Sequence, residues 1–330
     1  MNTLNQALNT TGIPPKSVSM SPCCHCCKRD GCYGKGKMKT TDMKTLDAPD
    51  SIKKMSASSS NSKILFNILR EDYLDPDALA PLRDEFLAQG YVKLPGLLSS
   101  AAFKVLEGEV NEMRSTAVDR SFTMPGAETP RELSTVGGSM IASKFPKWLG
   151  LYSHHEIVNL VATLTGGSIY ACQHEDEFMV ANFLNRRRGT HGWHLDDPAY
   201  ALILFFDAPP EGQGGSLEFV PDWHNFCERH DVDPEKNVAP LAEVARAEGL
   251  IQTRHHLRGD AYLLRADKSL HRVTELQCDG IRRAAINMAY QHVPFQVYGE
   301  SATALYAHSV IIAEGHNYVA STSRLILLSI

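Results

Sequence analysis

The stretch Thr190-His191-Gly192-Trp193-His194-Leu195-Asp196-Asp197 sets an imidazole and a carboxylate two residues apart. On an extended strand, positions i and i+2 face the same side. His194 and Asp196 can therefore address one metal ion while Leu195 packs the other way. A third donor, His271, follows the turn-and-strand segment Gly259-Asp260-Ala261-Tyr262-Leu263-Leu264. Two histidines and one carboxylate that leave coordination positions open suit non-haem Fe(II). Taken alone, a His-x-Asp pair reads better as a buried structural histidine beside a surface aspartate. The distal histidine and the arginines that follow it separate the two readings.

Those arginines are Arg282 and Arg283. A planar guanidinium grips a carboxylate through two parallel hydrogen bonds, so either could anchor an anionic cosubstrate. Neighbours on a strand face opposite ways, so only one should serve. Asn182, in the apolar run Phe178–Leu184, is either a further cosubstrate contact or a satisfied buried amide. His191 is three residues from His194 and should face away from the metal, as should Asp197. His224, His230, His255 and His256 lack the spacing for this site. His154 and His155 open a helix and read as surface residues. Arg186-Arg187-Arg188 is either a solvated turn or the source of a clamp for a substrate carboxylate. Trp193 packs or touches substrate, and Glu218 and Trp223 are further substrate-pocket candidates.

The elements that must position these groups are legible in part. A helix over Ala80–Gln89 with Gly90 as its stop leads into a strand at Tyr91–Leu94. Ser99 or Ser100 can cap a helix that lines up Phe103, Leu106, Val110 and Met113. Residues 115–150 read as an irregular loop, either a substrate entrance or a cover, with basic Arg131, Lys144 and Lys147. Ser153-His154-His155-Glu156 reads as a capping box before a helix that stops at Gly166-Gly167. From Ser168 the pattern turns to short apolar runs broken by turns: Ile169–Ala171, Phe178–Leu184, Tyr200–Phe206, Ser216–Val220, Ala261–Leu264 and Ala284–Tyr290. Many short strands of this kind predict an antiparallel sandwich or barrel. About 40 residues, Asp222–Arg258, interrupt them, with a helix expected over Leu241–Glu248. The domain reading is a tail over 1–62, helical support over 63–167, a β-barrel core over 168–292 and a C-terminal extension over 293–330. That extension covers the barrel or pairs with a second chain.

The 330 residues carry a net charge of −5, and nothing global suggests nucleic acid. Residues 1–60 hold a balance of +5, so the remainder carries −10. Five of the eight cysteines crowd into Cys23–Cys32, which is no disulfide framework and points to a reducing, cytoplasmic setting. That cluster reads as a metal knuckle, a palmitoylation site or incidental thiols on a disordered tail. No run is long and apolar enough for a membrane span. The first residues lack the apolar region of a secretory signal, although a transit peptide within 1–62 is compatible with the composition.

The ordered set resembles the Fe(II)/2-oxoglutarate-dependent oxygenase superfamily: Trp193-His194-x-Asp196-Asp197, Gly214-Gly215-Ser216-Leu217-Glu218-Phe219-Val220-Pro221, Gly259-Asp260-Ala261, His271 and the arginine pair. The likeness runs from about Leu79 to about Tyr290. It implies a double-stranded β-helix, the jelly-roll barrel, with His194, Asp196 and His271 as ligands to Fe(II). It also implies 2-oxoglutarate as cosubstrate, O2 as oxidant and ascorbate as a stimulant. Arg283-Ala284-Ala285-Ile286 matches the superfamily's anchoring pattern better than the frame starting at Arg282, and some members use an amide at the position of Asn182. Ala285 departs from the Ser or Thr that often stands two residues after the arginine, so a hydroxyl from elsewhere is expected to compensate. Related halogenases carry Gly or Ala in place of the ligand carboxylate. Asp196 therefore implies a hydroxylase-type site acting on a C–H bond of a small, amino-acid-derived or specialised metabolite, by hydroxylation, cyclisation or desaturation, with succinate and CO2 released. A cupin-type metalloenzyme that does not use 2-oxoglutarate and a non-catalytic barrel binding protein are the alternatives.

Overall fold

The segment Tyr200–Asp207 (β7) is apolar almost throughout, and the computed structural model shows why: both of its faces are covered. Leu202, Leu204 and Phe206 point into a core shared with the helices, while Ala201, Ile203 and Phe205 point into a second core inside the barrel. The structure describes residues 67–124, 127–299 and 305–306. The Cys23–Cys32 cluster and the 1–62 tail lie outside them.

The other strands are Tyr91–Leu94 (β1), Val118–Met124 (β2), Thr129–Val136 (β3), Tyr170–Ala171 (β4), Met179–Leu184 (β5) and Thr190–His194 (β6). After β7 come Leu217–Val220 (β8), Gln252–Arg254 (β9), Ala261–Arg265 (β10), Leu270–Val273 (β11) and Arg283–Gln291 (β12). Their order is β1-β10-β7-β12-β5-β3-β6-β11-β8-β9, with β2 on β3 and β4 on β12. The named pairings are antiparallel. The sheet curls so that β6 and β11 look across one lumen at β7, β10 and β12. This is the double-stranded β-helix.

Helices back the β1-β10-β7-β12-β5 half. The first, Pro76–Gln89 (α1), begins four residues earlier than Ala80 because Asp75 caps it, accepting from the Asp77 N–H at 3.0 Å, with Pro76 in the first turn. Ser99 caps Ser100–Thr116 (α2). Gly138–Lys144 (α3) and Pro146–Tyr152 (α4) follow, then His155–Thr165 (α5). The cap of α5 is His154 rather than Ser153: His154 Nδ1 accepts from the Glu156 N–H, while the Ser153 hydroxyl donates to the Leu149 carbonyl.

Two expectations change. Residues 115–150 are not an irregular loop: β2 and β3 form a hairpin, and β3 sits centrally between β5 and β6. Its inward-facing residues are Thr129, Arg131, Leu133 and Thr135, so the apolar alternation that marks a strand is absent. The 222–258 insertion holds two helices, Trp223–Arg229 (α6) and Val238–Ala247 (α7), and ends in β9. Glu218 of β8 ties it down. Its carboxylate accepts from Arg246 of α7 at 2.9 Å and from Arg272 of β11 at 2.8 Å. Burial pushes the Glu218 carboxyl up, but the hydrogen bonds and charges of the two arginines outweigh this and hold it below its ordinary value.

Glu218→Gln should lower stability at neutral pH by about 1–2 kcal/mol, since charge-assisted bonds are weakened and partly screened. A depressed carboxyl contributes stability above its unfolded pKa and loses it on acidification. The gap to wild type in urea denaturation should therefore close as pH falls through and below the ordinary glutamate range. Gly214 has φ +83°, and a Cβ there would lie 1.8 Å from the Glu275 carbonyl oxygen. Gly214→Ala should cost about 2–4 kcal/mol, read as a loss of melting temperature.

Candidate active site

Antiparallel pairing of β6 with β11 puts His194 directly opposite His271. Their ring centroids are 4.1 Å apart. Asp196 lies just past β6, where its N–H donates to the Ala266 carbonyl at 3.1 Å. That turn brings its Oδ1 to 3.5 Å from His194 Nε2 and 3.7 Å from His271 Nε2. The three donor atoms lie within 4.8 Å of one another. Each imidazole has its Nδ1 against a backbone carbonyl, Gly192 at 2.7 Å and Ser269 at 2.8 Å. An Nδ1–H donated there leaves both Nε2 lone pairs aimed at the common point. Burial holds His194 neutral, its pKa pushed well below the usual value, with further lowering from His191 and His271.

His191 does not face away as its spacing predicts. His271 pairs with His194 and Val273 with His191, so two residues of β6, Gly192 and Trp193, oppose the single Arg272 of β11. This bulge shifts the strand by one position and returns His191 to the inner face. Its ring stacks on His194 at 4.0 Å and 20°. Its Nε2 is buried without a partner. Glycine is required beside it, because a Cβ on Gly192 would lie 2.7 Å from the Pro130 carbonyl oxygen of β3. Asp197 turns outward and accepts from the Gly299 N–H at 2.7 Å.

The two candidate anchoring arginines separate cleanly. Arg283 is 3 % exposed and lines the same cavity as the three donors. The Arg282 side chain is 59 % exposed and sits 4.0 Å from Asp207. The Arg283 guanidinium lies 4.8 Å from the Phe205 ring centroid, and its Nε is buried without a partner. Asn182, paired with Ala285 across β5 and β12, also lines the cavity, and its Oδ1 is unpartnered.

Several groups escaped sequence reasoning. Arg131 is 1 % exposed, with its Nη1 donating to the carbonyl and hydroxyl of Thr129 while its Nε has no partner. Burial lowers it to about 10, offset by Tyr306 and Asp196. Glu177 is buried with an unpartnered Oε2, and burial raises its carboxyl well above the usual range, helped by Asp196 and Asp197. Tyr306, from the C-terminal extension, is in the cavity wall, next to Leu305, whose carbonyl accepts from the Thr135 hydroxyl at 3.0 Å. Asn287 lines the cavity from β12. A basic residue in an apparent loop and an acidic run, Glu175-Asp176-Glu177, carry no sequence signal that they turn inward.

Other candidates are occupied elsewhere. Trp193 packs with α6 and α7 under Arg272, 4.8 Å from its ring centroid. Trp223 is fully buried and donates from Nε1 to the Pro234 carbonyl. Neither they nor Glu218 line the cavity. Arg186 pairs with Glu132 at 2.8 Å, and Arg187 and Arg188 also lie outside the cavity wall. His154, His155 and Glu156 cluster, but His154 caps α5 and Glu156 accepts from the Leu69 N–H. His256 is buried against Tyr91, whose hydroxyl lies 3.0 Å from its Nε2.

The fold resembles that of SnoN, a non-heme alpha-ketoglutarate-dependent epimerase from nogalamycin biosynthesis, at 17% identity and TM-score 0.51, over 66% of this chain and 84% of that one. AviO1 from Streptomyces viridochromogenes Tue57 matches at 20% identity and TM-score 0.47, over 66% and 97%. EctD from S. alaskensis, solved with 2-oxoglutarate and 5-hydroxyectoine, matches at 18% and TM-score 0.47, over 66% and 79%. No curated protein matches the sequence. The profile of the Halogenase D family matches residues 74–296, from α1 through the end of the barrel, and the protein belongs to the Halogenase D family.

Proposed function

We propose that the protein is an Fe(II)- and 2-oxoglutarate-dependent oxygenase that acts on a small molecule carrying both an amine and a carboxylate. The observation that carries this reading is the convergence on one cavity of the His194, Asp196 and His271 donors with a buried, unpaired Arg283. The donor set suits Fe(II). Among the described residues no carboxylate forms an ion pair with Arg283, and a buried guanidinium without a counter-charge calls for an anionic ligand. When bound, Fe(II) and 2-oxoglutarate supply oxygen activation coupled to loss of CO2 and formation of succinate.

The chain's own residues then have separate tasks. His194, Asp196 and His271 hold the metal, Arg283 grips the distal carboxylate of 2-oxoglutarate, and the Asn182 amide lies beside that path. Arg131 and Glu177 are buried near Tyr306, a guanidinium and a carboxyl that burial disfavours in its charged form, and they are polar groups available beside the lumen to an amino-acid-like substrate. The closed lumen keeps water from competing for these bonds.

The family name points to halogenation, but Asp196 argues for oxygenation. Its carboxylate faces the common point of the two imidazoles and takes up the coordination position a halide would need. Hydroxylation, desaturation or cyclisation is then the outcome.

Anaerobic addition of Fe(II) and 2-oxoglutarate should give a weak visible charge-transfer band. His271→Ala should abolish it. Arg283→Ala should raise the 2-oxoglutarate dissociation constant about 10- to 100-fold, as expected for a lost charge-assisted pair, and Arg282→Ala should leave it unchanged. Metal binding without a band would favour the cupin-type reading, and no metal binding at all would sink the enzyme assignment. With free amino acids screened by succinate release in chloride buffer, mass spectrometry should find oxygenated or dehydrogenated product. A chlorinated product would overturn the role given to Asp196.

A further inference from the structure

The three metal donors are not held alike. His194 and His271 stand on paired strands, whereas Asp196 stands in the connection between β6 and β7, outside the ladder. Its place depends on what fastens that connection. On one side the fastening is Ala266, whose carbonyl accepts from the Asp196 N–H at 3.1 Å and whose N–H donates to the Ala199 carbonyl at 2.9 Å. On the other side it is a strap, residues 293–299, which runs on from β12. The Gln296 amide donates to the Asp197 carbonyl, and the Gly299 N–H donates to the Asp197 carboxylate at 2.7 Å.

The strap alternates its sides. Phe295 and Val297 are 78 % and 93 % exposed, while Gln296 and Tyr298 turn inward. Apolar burial by Phe295 and Val297 therefore adds nothing, and the strap is held by hydrogen bonds and by the Tyr298 ring, which packs on the helix-side core. The Tyr298 hydroxyl accepts from the Gln173 N–H at 2.8 Å and from the Gln291 amide, and donates to Cys172 Sγ at 3.5 Å. The Gln173 amide in turn donates to the Pro294 carbonyl at 2.7 Å. Gln291 ends β12 and is fully buried. The strap is thus tied at Tyr298 to the barrel wall and at Gln296 and Gly299 to the residue beside a metal donor. A segment held by so few contacts opens locally at much lower cost than the sheet does.

We infer that the strap positions the third metal donor: its grip on Asp197 holds Asp196 at the common point of the two imidazoles, so strap docking and metal binding favour each other. Gln296 and Tyr298 are positioning residues, and neither lines the cavity. This inference rests on the metal centre of the oxygenase reading above. The coupling is reciprocal, so whatever factor docking adds to metal affinity, the metal adds to docking.

The test uses the full chain and Co(II), whose visible absorption reports binding without turnover. Gln296→Met keeps the side-chain volume and removes the donor, and Tyr298→Phe keeps the ring and removes the hydroxyl. Each should weaken Co(II) binding about 3- to 10-fold, the effect of one lost hydrogen bond behind a ligand. In wild type, Co(II) should slow hydrogen exchange of the peptide spanning 293–299. That measurement needs no substitution, so it decides even where a variant fails to fold. Strap exchange indifferent to Co(II) would overturn the inference. So would wild-type Co(II) affinity in a Gln296→Met protein whose strap exchanges faster, since the strap would then be released without consequence for the donor. If wild type binds no Co(II), the metal-centre reading fails and takes this inference with it. Co(II) binding without the coupling refutes this inference alone.

Discussion

The pairing of β6 with β11 is the constraint on which the site depends. It places His194 opposite His271, and the backbone carbonyls of Gly192 and Ser269 orient both rings through their Nδ1 atoms. Neither imidazole can turn without losing a buried hydrogen bond, so both Nε2 atoms are aimed before any metal arrives. The same pairing carries the bulge that brings His191 inward, and the bulge in turn needs a residue without a side chain at Gly192. A ligand pair, an extra imidazole and a glycine are thus one device.

Around it the barrel sorts charge by depth. Arg283, Arg131 and Glu177 are all nearly removed from water. None of the three has an ion pair among the described residues. By contrast, Glu218, Arg246 and Arg272 satisfy one another outside the lumen. Paired charges on the outer face hold the insertion against the barrel, while Arg283 and Arg131 stay inside with no ion pair among the described residues. Burial of an unpaired charge is unfavourable for folding, and it is tolerated here where the apolar cores on both faces of β7 and β12 supply the stability.

Much of the helix and strand pattern was legible because it rests on local chemistry. Ser99 caps a helix, Gly90 and Gly166 end two of them in the left-handed conformation, and the apolar runs at 178–184, 200–206 and 284–290 became the central strands, whereas the Asp75 cap, which starts α1 four residues before Ala80, was not legible. The β2–β3 hairpin was not legible, because a strand lining a polar lumen shows Thr129, Arg131 and Thr135 where a core strand would show aliphatics. The inward turn of His191 was hidden for a related reason. Sequence spacing assumes a regular two-residue period, and one extra residue opposite Arg272 reverses every later side chain.

The sequence by itself determined the order of the candidate donors His194, Asp196 and His271 and, from its short apolar runs, an antiparallel sandwich or barrel, while the jelly-roll class came with the resemblance. It narrowed the anchoring cation to two neighbours, and strand alternation required that only one serve. Only the tertiary structure decided that Arg283 faces the lumen and that Arg282 faces solvent, because that choice is fixed by the register of β12 against β5 and β7. It alone gathered His191, Tyr262, Asn287 and Tyr306 from distant parts of the chain around one cavity. Burial is a property of the closed barrel and not of any local run of residues, so the buried polar groups became visible once the sheet had curled over them.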